Sequence, residues 1–233
     1  MSEKIIAYKA MNPDMTCRGK KYEVGKTYFE DNADCCSAGM HACENPFEVL
    51  RYYPMKDNPR FFEVECGGEI SKSDQGSKLA CTELTVKGEL NFAGMLKATL
   101  DAVFRRVKDK EPFSSGYYST AGTSGNSSTA GTSGYYSTAG TSGYYSTAGT
   151  SGNSSTAAAT GPYCRAKAEG NNSIAVANGY KSKVKGSVGC YLVLTEYDDD
   201  GNLLCADLKL VNGISIKADT WYMLKDGLVV ESE

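Results

Sequence analysis

Two periodicities organise the chain. Phe92, Met95, Leu96, Leu100, Val103 and Val107 recur at three- and four-residue steps, which gathers them on one face of a helix predicted over 91–110. Arg105, Arg106, Lys108 and Lys110 fall in its last turns, where cations suit the negative end of the helix dipole. Runs rich in aromatic and β-branched residues predict strands over 5–10, 21–24, 60–66 and 79–86. Asn45 and Pro46 mark the start of a short helix over 47–53, because Asn caps well and Pro suits the first turn; Pro54 ends it. Helix and strands together predict an α+β domain over 1–112. Near the other end, 190–195, 203–211, 221–224 and 228–230 read as strands. The turns Asp200-Gly201 and Asp226-Gly227 between them favour hairpins, so a β-hairpin-rich cap is expected over 188–233.

Between these regions a nine-residue repeat takes over. From Tyr117 the chain reads YYSTAGTSG, NSSTAGTSG, YYSTAGTSG, YYSTAGTSG, NSSTAAATG, PYCRAKAEG, NNSIAVANG and YKSKVKGSV. The third column is serine throughout except Cys164, the fifth is alanine from Ala121 to Ala175, and the ninth is glycine from Gly125 to Gly179. Columns three, five and seven lie two apart and share one face of an extended strand. Small side chains there let two sheets approach more closely than the ~10 Å of ordinary packing. Glycine in column nine is assigned the turn. A parallel β-solenoid over 113–187 follows, with two repeats per coil: about 18 residues per turn and about 3.5 coils spanning roughly 17 Å. A flexible linker has no need of three columns in register. A bundle of three-residue-period helices does not account for Ser173-Ile174-Ala175-Val176-Ala177, which is a strand pattern.

Composition narrows the function classes. Net charge is −3, so no general attraction to nucleic acid or to anionic membranes is expected. No apolar run approaches the ~20 residues of a membrane span, and the first residues lack the pattern of a secretory signal, which points to a cytoplasmic setting. The nine cysteines are irregularly spaced with no CxxC and are expected as reduced thiols.

Three stretches carry a resemblance. CRGKKYEVGKTY over 17–28, GMHACENP over 39–46 and Tyr52-Tyr53-Pro54 resemble an uncharacterised domain encoded by bacterial prophages and phages, whose members often carry small-residue repeats behind it. The resemblance implies a phage origin and a bacterial cytoplasm, and no particular activity. Residues 173–179 are also similar to the head repeats of trimeric autotransporter adhesins, which are left-handed β-rolls; that likeness implies a trimer.

Several chemistries stand beside plainer readings. Cys35, Cys36, His41 and Cys43, with Cys17 or Cys66, offer soft ligands, but the C-C-x4-H-x-C spacing matches no zinc motif. These cysteines are expected as small buried hydrophobes, with no metal and no cofactor. His41, the only histidine, and Cys43 sit two apart and share a face of a strand, as a nucleophile and its base would, yet nothing marks an oxyanion hole. Gly39-Met40-His41-Ala42 followed by a helix ending in Tyr52-Tyr53 is similar to the core strand–helix step of ADP-ribosyltransferases. The pairs Tyr117-Tyr118, Tyr135-Tyr136 and Tyr144-Tyr145 offer an aromatic face to a partner, or else stabilise the solenoid edge. A threonine column from Thr120 to Thr156 suits either ice binding or a plain sheet ladder.

The expected function is that of a non-enzymatic, phage-encoded interaction protein. The N-terminal domain would recognise a host or phage protein, and the solenoid would act as rigid spacer or oligomerisation surface for a dimer or trimer. Inhibition of a bacterial anti-phage defence system and a divergent ADP-ribosyltransferase-like activity are the alternatives.

Overall fold

The computed structural model describes residues 4–35, 37–73, 77–107 and 111–233; Cys36, Lys108 and Lys110 lie outside them, and so does the Arg106 side chain. The chain forms two compact units, Met1–Ala102 and Val103–Glu233.

The first unit is built from β1 (Ile5–Met11), the two-residue strands β2 (Thr16–Cys17) and β3 (Lys20–Lys21), β4 (Thr27–Phe29), β5 (Met40–Cys43), β6 (Arg60–Lys72) and β7 (Lys78–Leu90). β1 pairs with β5 on one edge and with β6 on the other, and β5 and β6 both pair with β7. Four antiparallel strands therefore close into a small barrel, and β4 adds along the remaining edge of β7. Ala7, Met11, Phe62, Val64, Leu79 and Val86 alternate inward to fill it.

The expected α+β character is corrected here, for the unit is mostly sheet. Gly67, Gly68 and Gly88 look like strand ends in the sequence, but they sit inside two thirteen-residue strands. Register shifts between Glu63 and Val64 and between Gly67 and Ile70 bend the β6–β7 ribbon, which lets the sheet close. The helix expected over 47–53 is a 3-10 helix, Pro46–Arg51. The strand expected over 21–24 shrinks to Lys20–Lys21, and Tyr22 turns into the core. The one α-helix among the described residues, α1 (Phe92–Val107), buries Met95, Leu96, Thr99, Ala102 and Val103 as its periodicity predicts. Its Phe92 ring lies 6.1 Å from that of Phe47. No helix among the described residues is long and apolar enough to cross a membrane.

The second unit contains the expected parallel β-solenoid, about four turns over 113–193. One sheet holds β8 (Phe113–Ser114), β10 (Thr129–Thr132), β12 (Thr147–Thr150), β14 (Arg165–Ala168) and β16 (Lys183–Gly186). The other holds β9 (Thr120–Ser124), β11 (Thr138–Ser142), β13 (Thr156–Thr160), β15 (Ile174–Asn178) and β17 (Tyr191–Tyr197). Thr120 pairs with Thr138 and Thr138 with Thr156, so one coil is two nonapeptides. The column-five alanines of both sheets meet inside, Ala121, Ala139, Ala148 and Ala157 with no exposed surface at all.

Both ends are closed. At the start, the carbonyls of Glu111 and Pro112 accept from the amides of Gly122 and Gly131, so the incoming chain covers the first rung of each sheet. At the far end each sheet finishes in a hairpin. β17 runs parallel to β15 and turns back into β18 (Leu203–Leu210); β19 (Trp221–Lys225) adds antiparallel to β16 and pairs with β20 (Leu228–Ser232). Leu192, Leu194, Val211, Ile216, Tyr222 and Leu224 plug the last coil, which no alanine could fill.

The turns differ from expectation. Column two, not only column nine, lies in the left-handed region: Tyr118, Ser127, Tyr136, Tyr145, Ser154, Tyr163, Asn172 and Lys181 have φ between 50° and 59°. A non-glycine residue there costs roughly 1–2 kcal/mol. The turns from Tyr118 to Tyr163 are held by the next coil, as when the Tyr118 amide donates to the Tyr135 carbonyl at 2.9 Å and the Ser127 amide to the Tyr144 carbonyl at 2.7 Å. Column nine needs glycine chiefly for stacking. A Cβ on Gly134 would lie 1.6 Å from the Gly116 carbonyl oxygen, and one on Gly152 would lie 1.8 Å from that of Gly134. Some column-three serines then serve the stacked carbonyls: Ser155 Oγ donates to Gly134 O at 3.1 Å and Ser173 Oγ to Gly152 O at 3.0 Å, whereas Ser146 Oγ donates to Gly143 O of its own turn.

Two glycines in one coil separate these roles. Gly149, in column six, has open space where a Cβ would go, whereas Gly152 has backbone. Gly149→Ala should leave the melting temperature unchanged or raise it, by up to about 1 kcal/mol of stability, since a strand-interior glycine costs conformational entropy. Gly152→Ala should cost about 3 kcal/mol or more, the scale of overpacking against atoms that cannot yield. Equal melting temperatures for the two variants would contradict the stacked-edge account.

Candidate functional site

A cavity of about 740 Å³ opens between β1, the β2–β3 hairpin, β5 and the chain that follows the first 3-10 helix. Its lining carries Lys9, Arg18, Lys20, Arg51 and Lys78 against a single acid, Glu30, which is ion-paired to Lys20. Each cation is placed by a local feature. Lys9 follows Ala7 on the inner face of β1 and is only 4% exposed. Its ammonium donates to the His41 carbonyl at 2.8 Å and stands 5.1 Å from the centre of the Tyr22 ring. Among the described residues it makes no ion pair; the carbonyl and the aromatic face offset part of its desolvation. Arg18 and Gly19, with φ of 49° and 78°, make the two-residue turn between Cys17 and Lys20. Both are left-handed, which is the turn a tight hairpin demands, and the guanidinium is carried at its tip. Lys78 pairs across from Cys43 and lies 4.8 Å from the Tyr52 ring centre.

His41 stands on β5, half-buried. Burial, and then the charges of Lys78, Arg18 and Lys9, pull its pKa down to about 4, against a weaker opposing bond to the Asp34 backbone. The imidazole is therefore neutral at pH 7, an acceptor among cations. Cys43 is buried, and desolvation followed by Glu48 pushes its thiol above the ordinary range. That is opposite to the shift an activated thiol needs. The Tyr53 hydroxyl donates to Cys17 Sγ at 3.0 Å, and burial ahead of that bond raises the Tyr53 phenol. No three His, Cys, Asp or Glu side chains among the described residues are grouped to hold a metal; Cys36 lies outside them.

The three stretches that carry the family resemblance, far apart in sequence, meet in this cavity through Cys17, Arg18, His41, Tyr52 and Tyr53. Lys9, Arg51 and Lys78 were not singled out by the sequence. Lys9 did leave a signal, as a lysine in the middle of the apolar run IIAYKAM.

The six tyrosines do not form one face. Tyr117 stacks on Tyr135 at 5.4 Å and Tyr118 on Tyr136 at 5.5 Å along one edge of the solenoid. Tyr144 and Tyr145 belong to the other edge, where Tyr145 stacks on Tyr163 at 5.0 Å and Tyr163 meets Tyr180 edge-on. Tyr117, Tyr144 and Tyr145 keep half or more of their surface. The threonine column is likewise divided: Thr138 and Thr156 are buried, and only Thr129 is exposed. No flat exposed threonine array exists for an ice lattice to meet.

The depressed pKa of His41 makes stability depend on pH. Its folded value lies below the unfolded one, so as pH falls from about 6.5 to about 4 the unfolded chain takes up a proton that the folded chain refuses. Stability should fall across that window and be unaffected by His41 above it. Because His41 is half exposed, the loss is about 1–2 kcal/mol rather than the full value. Urea midpoints at pH 7.5 and 4.5 check this: His41→Gln should lose less than the parent chain, by about 1 kcal/mol.

A family model described as a domain of unknown function (DUF7666) matches residues 5–98, which contain every residue lining the cavity. No curated protein matches the chain, and no solved structure matches it. Residues 5–98 thus fit an uncharacterised domain family, and the solenoid lies outside the match.

Proposed function

We propose that the chain is a non-enzymatic interaction protein, phage-encoded and acting in the bacterial cytoplasm, whose barrel captures an anionic group of a protein partner. The observation behind this reading is the lining of the 740 Å³ cavity, five cations facing one carboxylate. A pocket of this volume suits a side chain or chain terminus with its neighbours. Carboxylate is the fitting chemistry, because Arg18 offers a fork of donors while Lys9 and Lys78 act as point charges held beside aromatic rings. The solenoid serves as a rigid spacer. Its tyrosine edges provide surface for self-association into a dimer or trimer.

Citrate and a short acidic peptide are suitable probes. A ligand at a hundred times its Kd stabilises by about 2.7 kcal/mol, which a melting curve resolves. Both probes should raise the melting temperature of the parent chain, and Arg18→Gln, an exposed position, should remove most of the gain without lowering the basal value. Absence of any anion-dependent stabilisation would refute the reading. For self-association, light scattering at micromolar concentration should give a dimer or trimer that dissociates when Tyr117, Tyr144 and Tyr145 are replaced by serine; a monomer before substitution excludes it.

A further inference from the structure

The outer face of the first solenoid sheet changes character at β14. Coil by coil, column four reads Thr129, Thr147, Arg165 and Lys183, and column six reads Gly131, Gly149, Lys167 and Lys185. From Phe113 to Cys164 the chain carries no charge, and then four cations occupy one small grid. Arg165 pairs in register with Lys183, and Lys167 with Lys185. Neighbours in this grid are about 4.8 Å apart across strands and about 6.6 Å apart along them. Like charges placed opposite one another destabilise a sheet. The fold does not call for them, since threonine and glycine fill the same columns one coil earlier.

Two cations of the grid are answered locally: Lys167 is ion-paired to Glu169, and Lys183 donates to the carbonyl of the C-terminal Glu233. Arg165 and Lys185, on the diagonal, make no ion pair among the described residues. Both lie over Trp221 of β19, at 5.6 Å and 5.2 Å from the ring centre. A shallow trough of about 510 Å³ leads away from this grid, floored by Gly149, ending at the Phe113 ring over Gly131 on one side and at Lys167 with its ion-pair partner Glu169 on the other. Phe113 is 66% exposed. Three strand spacings, about 14 Å, separate β14 from β8.

We propose that this face binds an extended acidic segment of a protein partner. Its carboxylates sit between Arg165 and Lys185, small residues cross the glycine floor, and an apolar side chain about four residues further on covers Phe113. Charge complementarity selects the acid, and the missing Cβ at Gly149, where nothing else fills the space, makes room for a chain lying flat beside the Phe113 ring, which covers Gly131. A polynucleotide fits less well. The cations span only two strands, the Trp221 ring is already faced by two of them, and the chain as a whole is negative. This face is separate from the barrel cavity, and the proposal does not rest on that site.

Trp221 is the only tryptophan, so its fluorescence reports on this surface alone. The probe is a nine-residue peptide with two glutamates, a glycine-serine spacer and a leucine, titrated into the full chain, with oligothymidylate as the comparison. A saturable fluorescence change that weakens with salt is expected for the peptide. Arg165→Thr with Lys185→Thr should weaken it at least tenfold, and Phe113→Ser by a few fold, while Arg18→Gln in the barrel leaves it unchanged. The double variant should melt at the same temperature or higher, because it removes in-register repulsion. No saturable change, equal affinity in the double variant, or tighter binding of oligothymidylate would each overturn the proposal. So would a double variant that melts lower and binds as before, since the charges would then serve the fold.

Discussion

The solenoid depends on how closely its stacked glycine edges approach. Along one edge a Cβ would lie 1.6 to 2.2 Å from the carbonyl oxygen one coil below, at Gly134, Gly152 and Gly170; along the other, 2.2 to 2.6 Å, at Gly143, Gly161 and Gly179. With both edges pinched to bare backbone, the two sheets have no room for larger side chains between them, and the interior is left to alanine, serine and threonine. Such a core removes little apolar surface from water per residue. Cohesion therefore passes to the hydrogen-bond ladders. Backbone pairs along each strand, turn amides that donate to the next coil, and serine hydroxyls that donate to the stacked glycine carbonyls all run parallel to the axis.

What was legible in the sequence follows from this. A constraint that recurs every nine residues prints itself as columns, so the coil length, the inward alanines and the parallel stacking could all be read. The conformation of column two could not. Tyrosine, serine, asparagine and lysine share no signature for a left-handed turn, and from Tyr118 to Tyr163 the turn's amide is held by a neighbouring coil that no local pattern records. Three of the four barrel strands were legible, β1, β6 and β7, but neither β5 nor the closure was. Gly67 and Gly88 mark ends in most strands and bulges in these, and which of the two applies is decided by pairing over a distance that no local pattern records. The cavity was half legible. Its motifs stood out, but Lys9 and Lys78 belong to it only because β1, β5 and β7 are neighbours in the barrel.

Charge is handled differently in the two units. In the barrel, cations are drawn inward: Lys9 is buried against a carbonyl and a ring, and burial, reinforced by the charges of Lys78, Arg18 and Lys9, holds His41 neutral. Burying an ammonium without a carboxylate is unfavourable by several kcal/mol per ion before compensation. Here the His41 carbonyl and the Tyr22 ring supply that compensation beside a cavity. In the solenoid the opposite holds. The interior is uncharged, and cations appear only at the surface of the last coils, on the outer sheet face and at the Lys181 turn, where water screens them.

The position of those cations bears on the array itself. A solenoid rung touches only its neighbours, so a uncharged rung can be added or removed without disturbing either end. The near-identical repeats from Tyr117 to Gly152 meet that condition in their strands, where the same residues stand above and below, though not in the Tyr-Tyr and Asn-Ser turns. The coils from Arg165 onward do not. Their outer columns carry Arg165, Lys167, Lys183 and Lys185, and their interior ends on Cys190, Leu192 and Leu194 beneath the hairpins. The two parts thus answer to different demands. The early coils repeat nearly the same residues, whereas the last coils hold a specific core and a charged outer surface. Changing the number of early rungs would move Phe113 relative to Arg165 by about 4.8 Å for each coil. The length of the uncharged stretch therefore sets the spacing between an aromatic anchor and a cationic one on the same face.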